Sequence, residues 1–129
     1  MLEDAARARQ REAKLLQEHN QLCGAVYLVG YVVECKLKTL LNKKGKSFPR
    51  SGSAGHDLRG LWDAAGLRSQ DLSGHKKAFM DTWTTSLRYS AKLPDGSSAE
   101  ELLRGAQELA SYVTSRIRYA RPHNRGGRR

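Results

Sequence analysis

The stretch that decides the fold is residues 25–41, which read AVYLVGYVVECKLKTLL. Its apolar positions recur at helical spacing, at Ala25, Leu28, Val29, Val32, Leu37, Leu40 and Leu41. The β-branched and aromatic residues of the first half would also suit a strand, but the pattern continues beyond the usual length of a strand. We therefore predict one long helix. Because this helix is apolar almost all the way round, we expect it to lie at the centre of a bundle.

Helical patterns flank this stretch on both sides. Upstream, residues 3–18 are rich in Ala, Arg, Glu, Lys and Leu, which favour helices, and His19-Asn20 is a natural break. Downstream, the Gly- and Ser-bearing residues 45–55 predict a loop. A short helix is predicted over residues 56–65, with Gly66 at its end.

Two more helices follow. One is predicted to open at residues 71–73 and to carry four side chains inward, namely Phe79, Met80, Trp83 and Leu87. Ser97 and Ser98 are each followed three residues later by a glutamate, which is a pattern that caps the start of a helix. The sequence as a whole predicts an all-α fold, an antiparallel bundle of four to five helices. Trp62 and Trp83 are expected in the core or at a dimer interface.

The length of 129 residues predicts one domain, with the bundle over residues 1–120 and a basic, flexible Arg/Gly-rich tail over residues 121–129. Cys23 and Cys35 lie twelve residues apart in one apolar stretch, which favours reduced, packed thiols over a disulfide or a metal site. No apolar run is long enough to span a membrane, and no signal-peptide pattern opens the sequence. We therefore expect a cytoplasmic protein.

The formal net charge is +10, and the excess of cations is concentrated in two acid-free stretches. One is residues 36–50, and the other is residues 116–129, which hold six arginines. Such stretches suit a polyanionic partner, because neutralised phosphates release counterions. The alternative is that they are only a solvated loop and a solvated tail. A DNA-binding protein that uses the arginine tail is a further alternative. The sequence contains no glycine-rich phosphate loop, zinc-protease motif or hydrolase elbow.

The long helix carries the pattern A-x-x-L-x-x-Y-x-x-E-x-x-L-K, from Ala25 to Lys38. It is followed in order by His56-Asp57-Leu58, an aromatic residue at Trp83, the pair Arg88-Tyr89 and a leucine-rich closing helix. This order resembles the HEPN (higher eukaryotes and prokaryotes nucleotide-binding) family, in small stand-alone prokaryotic form, across about residues 5–118. The resemblance implies an all-α bundle that commonly dimerises and needs no cofactor or metal.

Two functions follow from the resemblance. Many HEPN proteins are metal-independent ribonucleases of toxin–antitoxin or phage-defence systems, often with a nucleotidyltransferase antitoxin as partner. Others are non-catalytic modules that bind RNA or nucleotides, or that regulate a partner enzyme. The ribonucleases carry an arginine, four to six residues, and a histidine, which Arg50 and His56 match here. Three other pairs fit the spacing too, namely Arg68 with His75, Arg116 with His123 and Arg118 with His123.

The site that the resemblance implies places His56 at the proton transfer and Arg50 at the phosphate. The side chains predicted to bind the nucleic acid or nucleotide are Lys38, Lys43, Lys44, Lys46, Arg88 and Tyr89. Glu34 stands in the apolar stripe of the long helix and needs a partner, for which Arg88 and His56 are the candidates. We favour a structural ion pair between Glu34 and Arg88, with Tyr89 covering the core. His56 could also serve only to begin its helix.

Overall fold

The computed structural model describes residues 1–48, 55–94 and 96–121, apart from the side chain of Arg88, and within these ranges we describe five α-helices. Two 3₁₀ turns, Ser69–Asp71 and Thr85–Tyr89, connect them, and the described residues contain no strand. We number the helices α1 (Leu2–Glu18), α2 (Leu22–Lys43), α3 (Leu58–Ala64), α4 (Gly74–Thr82) and α5 (Ala99–Tyr119). The predicted all-helical class is confirmed.

Helix α2 lies at the centre of the molecule, as its sequence predicts. More than half of its residues are buried, and those on all sides of the helix contribute to the core, including Val26, Val33, Leu37 and Leu40. Both Trp62 and Trp83 are also buried in the core. None of the helices in the described ranges is long and apolar enough to cross a membrane.

The residues at the helix ends have side chains and backbone conformations that are typical of helix caps. After α1, Asn20 adopts a left-handed backbone with φ of 60°, which asparagine tolerates better than most residues. Gly66 takes φ of +76° just beyond α3, as predicted for a glycine that ends a helix. Of the two predicted caps of α5, that of Ser98 is confirmed, because its hydroxyl accepts a hydrogen bond from the Glu101 amide at 3.3 Å. Asp57 caps α3 in the same way through Gly60, at 3.1 Å.

Helix α4 is shorter than predicted. The pattern indicates a helix through Leu87, but α4 ends at Thr82 and the backbone of Trp83 is extended, with ψ of 130°. Trp83 and Leu87 are buried all the same. The indole of Trp83 crosses over Gly30 of α2 and donates a hydrogen bond to the Tyr27 carbonyl at 3.0 Å. Docking of this large side chain therefore stops the helix where periodicity alone would continue it.

The helices are not all antiparallel, which corrects the predicted arrangement. Helix α1 does run against α2, since Ala6 packs with Val32 and Cys35, while Leu16 lies beside Gly24. Helix α5 runs in the same direction as α2. The Lys36 ammonium donates to the Thr114 hydroxyl, and that of Lys43 donates to the Ile117 carbonyl further along both helices.

The parallel pairing follows from the path of the intervening chain. Beyond α4, the chain returns to the beginning of α2, where the Cys23 thiol lies 3.5 Å from the Ser90 carbonyl and donates to it. Helix α5 then starts again from that end of the bundle. The long connection through α3 and α4 thus acts as a crossover between two neighbouring parallel helices.

Candidate functional site

A row of polar and aromatic side chains lies along one face of α2. Tyr27, Tyr31, Glu34 and Lys38 follow one another at spacings of three and four residues, which places them on one side of a helix. His56, which directly precedes the α3 cap, packs against the middle of this row. We call these five residues the α2 row.

A carboxylate and an ammonium are buried together in the α2 row. The side chains of Glu34 and Lys38 are only 7% and 6% exposed, and Lys38 Nζ donates to Glu34 Oε2 at 2.9 Å. The ammonium also lies 5.6 Å from the centre of the Phe48 ring, within range of a cation–π contact. Each charge therefore has a partner that compensates for its removal from water.

His56 uses the second carboxylate oxygen. Its Nδ1 lies 2.7 Å from Glu34 Oε1, and its side chain is 31% exposed, much more than that of Glu34. An anionic carboxylate accepts the proton of Nδ1, so this contact places the proton on that nitrogen and leaves the lone pair of the neutral ring on Nε2. The carboxylate thus orients an imidazole that still reaches solvent.

Tyr31 is the aromatic centre of the α2 row. Its ring meets the rings of Tyr27, His56 and Trp83 edge-on, at centroid distances of 5.2, 5.6 and 5.5 Å. Its hydroxyl lies 2.9 Å from that of Tyr27. These contacts hold the imidazole between an aromatic wall and the Glu34 carboxylate, which restricts the rotation of its side chain.

The arrangement can perform general base and general acid chemistry. A carboxylate that orients an imidazole by its Nδ1 proton is the geometry by which proteins present Nε2 to a hydroxyl proton. Lys38 balances the charge of Glu34, so the buried carboxylate does not remain uncompensated when the imidazole is neutral. His56 is therefore the group of the α2 row that is oriented to exchange a proton with a bound molecule.

Of the predicted catalytic pair, the structure places one member. His56 lies in the α2 row, whereas Arg50 falls outside the described residues. Lys38, predicted to contact the nucleic acid, is buried in its pair with Glu34.

The three lysines at the end of α2 bind carbonyl groups at the ends of other helices. Lys43 donates to the Ile117 carbonyl of α5 at 2.6 Å. Lys44 and Lys46 donate to the carbonyls of Ala65 and Ala64 at the end of α3, at 2.5 and 3.1 Å. Burial, followed by repulsion from Lys46 and Arg116, lowers the pKa of Lys44. These lysines thus satisfy the free carbonyls of two helix ends, which is a role in stability.

The predicted ion pair between Glu34 and Arg88 stays a prediction, because the Arg88 side chain is not among those described. Both oxygens of Glu34 already have partners, in Lys38 and in His56, which was the other candidate. Tyr89 does not cover the core, since 79% of its surface is exposed. Its role as a nucleotide contact stays a prediction.

The sequence predicts a different role for Lys38, as a nucleic-acid contact, and it does not single out Tyr27 or Tyr31 of the α2 row. Lys38 stands four residues after Glu34, and a glutamate followed at that distance by a lysine is a recognised helical ion pair. This spacing could have identified the partner. The role of Tyr31 depends on the tertiary position of His56 and Trp83, for which the local sequence holds no signal.

Both cysteines are free thiols, and Cys35 is buried. Burial raises the pKa of the Cys35 thiol, and the neighbouring charge of Glu34 raises it further. Within the described ranges, no three His, Cys, Asp or Glu side chains converge as metal ligands would. Comparison with protein-family models, curated proteins and solved structures gives no match to this chain.

Proposed function

We propose that this chain is a HEPN-type protein that acts on RNA and cleaves it without a metal ion, with His56 as the group that transfers the proton. The observation that carries the proposal is the 2.7 Å contact between His56 Nδ1 and the buried Glu34 carboxylate, combined with the partial exposure of the imidazole. Proteins rarely bury a carboxylate unless a partner requires it. Here that carboxylate orients the imidazole of His56, which still reaches solvent.

In the proposed reaction, His56 Nε2 removes the proton from a ribose 2′-hydroxyl. The 2′-oxygen then forms a bond to the adjacent phosphorus, and the bond from phosphorus to the 5′-oxygen of the next nucleotide breaks. The imidazolium returns the proton to that leaving oxygen. The products are a 2′,3′-cyclic phosphate and a 5′-hydroxyl. Arg50 is proposed to stabilise the phosphate charge in the transition state.

The resemblance of the α2 sequence to HEPN proteins also leads to a proposal about the oligomeric state and the partner. HEPN-like bundles commonly dimerise, and those of toxin–antitoxin systems work beside a nucleotidyltransferase. We propose a homodimer for this chain and, as its partner, an antitoxin of that kind. The solvent-facing side of His56 is where a second protomer and an RNA backbone would meet.

The test is cleavage of a mixed-sequence RNA by the full chain in the presence of a strong chelator. Wild type is expected to cleave and to leave cyclic phosphate ends, and His56→Ala is expected to lose at least a hundredfold in rate, as general-base catalysis typically contributes about 10²–10⁴. His75→Ala is the matched control, because His75 lies on α4 beside Glu101 and Glu108, outside the α2 row. Intact RNA with wild type, or equal rates in both variants, would refute the enzyme proposal.

The second candidate is a non-catalytic binding module that regulates a partner. One observation favours it. Every predicted lysine contact of the site is already engaged, Lys38 with Glu34 and the other three with helix carbonyls. In that case the α2 row only stabilises the fold, and His56→Ala lowers the melting temperature. Wild type then binds RNA or its partner without cleaving RNA.

A further inference from the structure

A long groove runs along the other side of α2, between α1 and α5. Both helices pack on α2, and the space that they leave between them amounts to about 1180 Å³. The groove follows α5 from Ala99 to Arg118, which corresponds to about 30 Å of helix. A smaller cavity of about 270 Å³ continues it and shares Val32, Lys36 and Thr114. An α-helix of about 10 Å diameter needs a space of this shape.

The groove has an apolar floor, a polar wall on α1 made by Gln10, Lys14 and Gln17, and a wall on α5 that includes several small residues. Val29 and Val32 of α2 form the floor, and Ala106, Ala110 and Ser111 stand on the α5 side. Small side chains on a groove wall allow the backbone of another helix to approach closely. No aromatic side chain lines the groove among the described residues, so bases would find no surface on which to stack.

Lys36, on the floor of the groove, is the charged side chain that indicates what the groove binds. Its ammonium donates to the Thr114 hydroxyl at 2.8 Å, and in the described part of the chain it forms no ion pair with a carboxylate. Burial lowers the pKa of Lys36, and the positive charge of Arg7 lowers it further. Among the described residues, the one hydrogen bond of Lys36 is to a neutral hydroxyl, and the charge of Glu3 raises its pKa without forming an ion pair with it. This half-buried ammonium therefore lacks the close counter-charge that usually accompanies burial.

The rim of the groove also carries more positive than negative side chains. Lys14 on α1 and Arg118 on α5 also line the groove, and within the described ranges neither pairs with an acid. Among the described residues, Glu100 is the one acidic side chain that lines the larger cavity, and Glu3 lines the smaller one. The groove therefore combines an apolar floor with an excess of positive charge.

We propose that this groove binds an amphipathic α-helix of a partner protein, one that buries a face of small and apolar residues and places an Asp or Glu carboxylate against Lys36. Such a helix would supply the missing counter-charge and complete a four-helix packing around α2. The surface is distinct from the α2 row, and the proposal stands whether or not the chain cleaves RNA.

Charge and shape favour this occupant over the alternatives. A second copy of this chain carries the same net charge of +10 and would bring further cations to a groove that already has too many. A nucleic acid would satisfy the cations, but it would set charged phosphates against a floor of valines and would find no aromatic surface. An acidic amphipathic helix would bury its apolar face on the valines of the floor and would pair its carboxylates with the cations of the rim.

The test uses two synthetic peptides of about 18 residues, roughly 27 Å as a helix. Both carry the same Ala/Leu face, and their polar faces carry Glu in one and Lys in the other. We expect the Glu peptide to bind the full chain, measured by fluorescence anisotropy, and to shift the amide NMR signals of α1 and α5. Lys36→Met should weaken binding about tenfold, equivalent to about 1.4 kcal/mol. Lys36→Glu and Gln107→Trp, which fills the groove from an exposed position of α5, should abolish it.

Two controls accompany these variants. Lys77→Met removes an exposed lysine of α4 and should leave binding unchanged, as should His56→Ala. Each variant is checked for wild-type circular dichroism before binding is measured.

Four results would overturn the proposal. These are failure of the Glu peptide to bind, equal binding of the Lys peptide, and binding that survives both Lys36→Glu and Gln107→Trp. The fourth is another occupant, shown either by a wild-type dimer that Gln107→Trp converts to monomer or by groove signals that shift with oligouridylate.

Discussion

Glu34 determines the chemistry of its surroundings because it is a charge buried in the central helix. Each of its oxygens accepts a hydrogen bond, one from Lys38 and one from His56. An ion pair of this kind is not itself strong evidence for stability, since both charges lose their hydration. Its value lies in the fixed position that it gives to His56. Removing one partner, however, leaves the other charge without compensation.

Replacing Lys38 by methionine is therefore expected to destabilise the protein by about 3–5 kcal/mol, because Glu34 is then a buried carboxylate without its cation. Urea unfolding followed by circular dichroism measures the change in the free energy of unfolding. Lys14→Met, at an exposed position of α1, should change it by less than about 0.5 kcal/mol. The double variant Glu34→Gln with Lys38→Met should recover part of the loss. Equal stability of the two single variants would contradict this account.

Cys35 makes stability depend on alkaline pH. Its pKa is higher in the folded state than its ordinary value of 9.0, chiefly through burial, so on raising the pH the unfolded thiol ionises first. The free energy of unfolding should fall as pH rises through the ordinary thiol range and should stop falling above the folded pKa. Tyr112, whose pKa burial and its hydrogen bond to Asp71 also raise, acts in the same direction at higher pH.

The measurement is urea unfolding at a series of pH values from about 7 to 10, which includes the ordinary thiol pKa of 9.0. Cys35→Ala should lose less stability across this range than wild type. Cys23→Ala, which removes the half-buried thiol, is the matched control. Curves of wild type and Cys35→Ala that run parallel would show that the thiol does not contribute.

At the scale of the elements, the closest contact is that of α2 with the chain that follows α4. A Cβ atom placed on Gly30 would lie 1.8 Å from Cε2 of Trp83, so glycine is required for the indole to cross the helix. This glycine interrupts an otherwise strong helical pattern, at a cost of roughly 1 kcal/mol relative to alanine. The buried indole and its hydrogen bond to the Tyr27 carbonyl offset that cost.

Gly30→Ala is therefore expected to destabilise the protein by about 1–3 kcal/mol or more, although alanine favours helices, because the added methyl group overlaps a rigid ring. Thermal unfolding and the near-ultraviolet signal of Trp83 report the change. Gly24→Ala is the control within the same helix, since its Cβ would meet only the end of the flexible Leu16 side chain, at 3.1 Å. Loss of equal size in both variants would contradict the role assigned to Trp83.

The comparison of sequence and structure is clearest among these elements. Apolar periodicity was sufficient for α1, α2 and α5, because their lengths follow from local propensity and from caps such as Ser98. Apolar periodicity predicted the wrong end for α4, because the packing of Trp83 on α2 sets the backbone conformation there. The same holds for the site. His56 could be singled out from a short pattern, but its support by Tyr31 results from contacts between elements, which periodicity does not record.

At the scale of the whole molecule, charge is unevenly spread. Cations at the ends of α2 and α5 bind helix carbonyls and Tyr112, and the sequence holds four more arginines over residues 121–129. Phosphate contacts made by such a tail would contribute to RNA affinity mainly through the release of counterions. Their contribution can therefore be separated from that of the α2 row by its salt dependence.

Deletion of residues 121–129 removes four arginines, and it should flatten the dependence of RNA affinity on salt. The slope of log K against log salt should decrease by up to about 3, at roughly 0.7 for each phosphate of a single strand. Fluorescence anisotropy with a labelled oligouridylate at several salt concentrations measures both slopes. The helical content should not change. An unchanged slope would exclude the tail as an electrostatic contact.

The parallel alignment of α2 and α5 has a consequence for the order of folding. The α1–α2 hairpin joins residues close in sequence and loses little chain entropy on closing, so it can form early. Helix α5 can pack beside α2 only after the intervening chain, which carries Trp83, has returned to the beginning of α2 at Cys23. Assembly of this protein is thus expected to begin at its amino-terminal half and to finish with α5, which makes the crossover the slow step of folding.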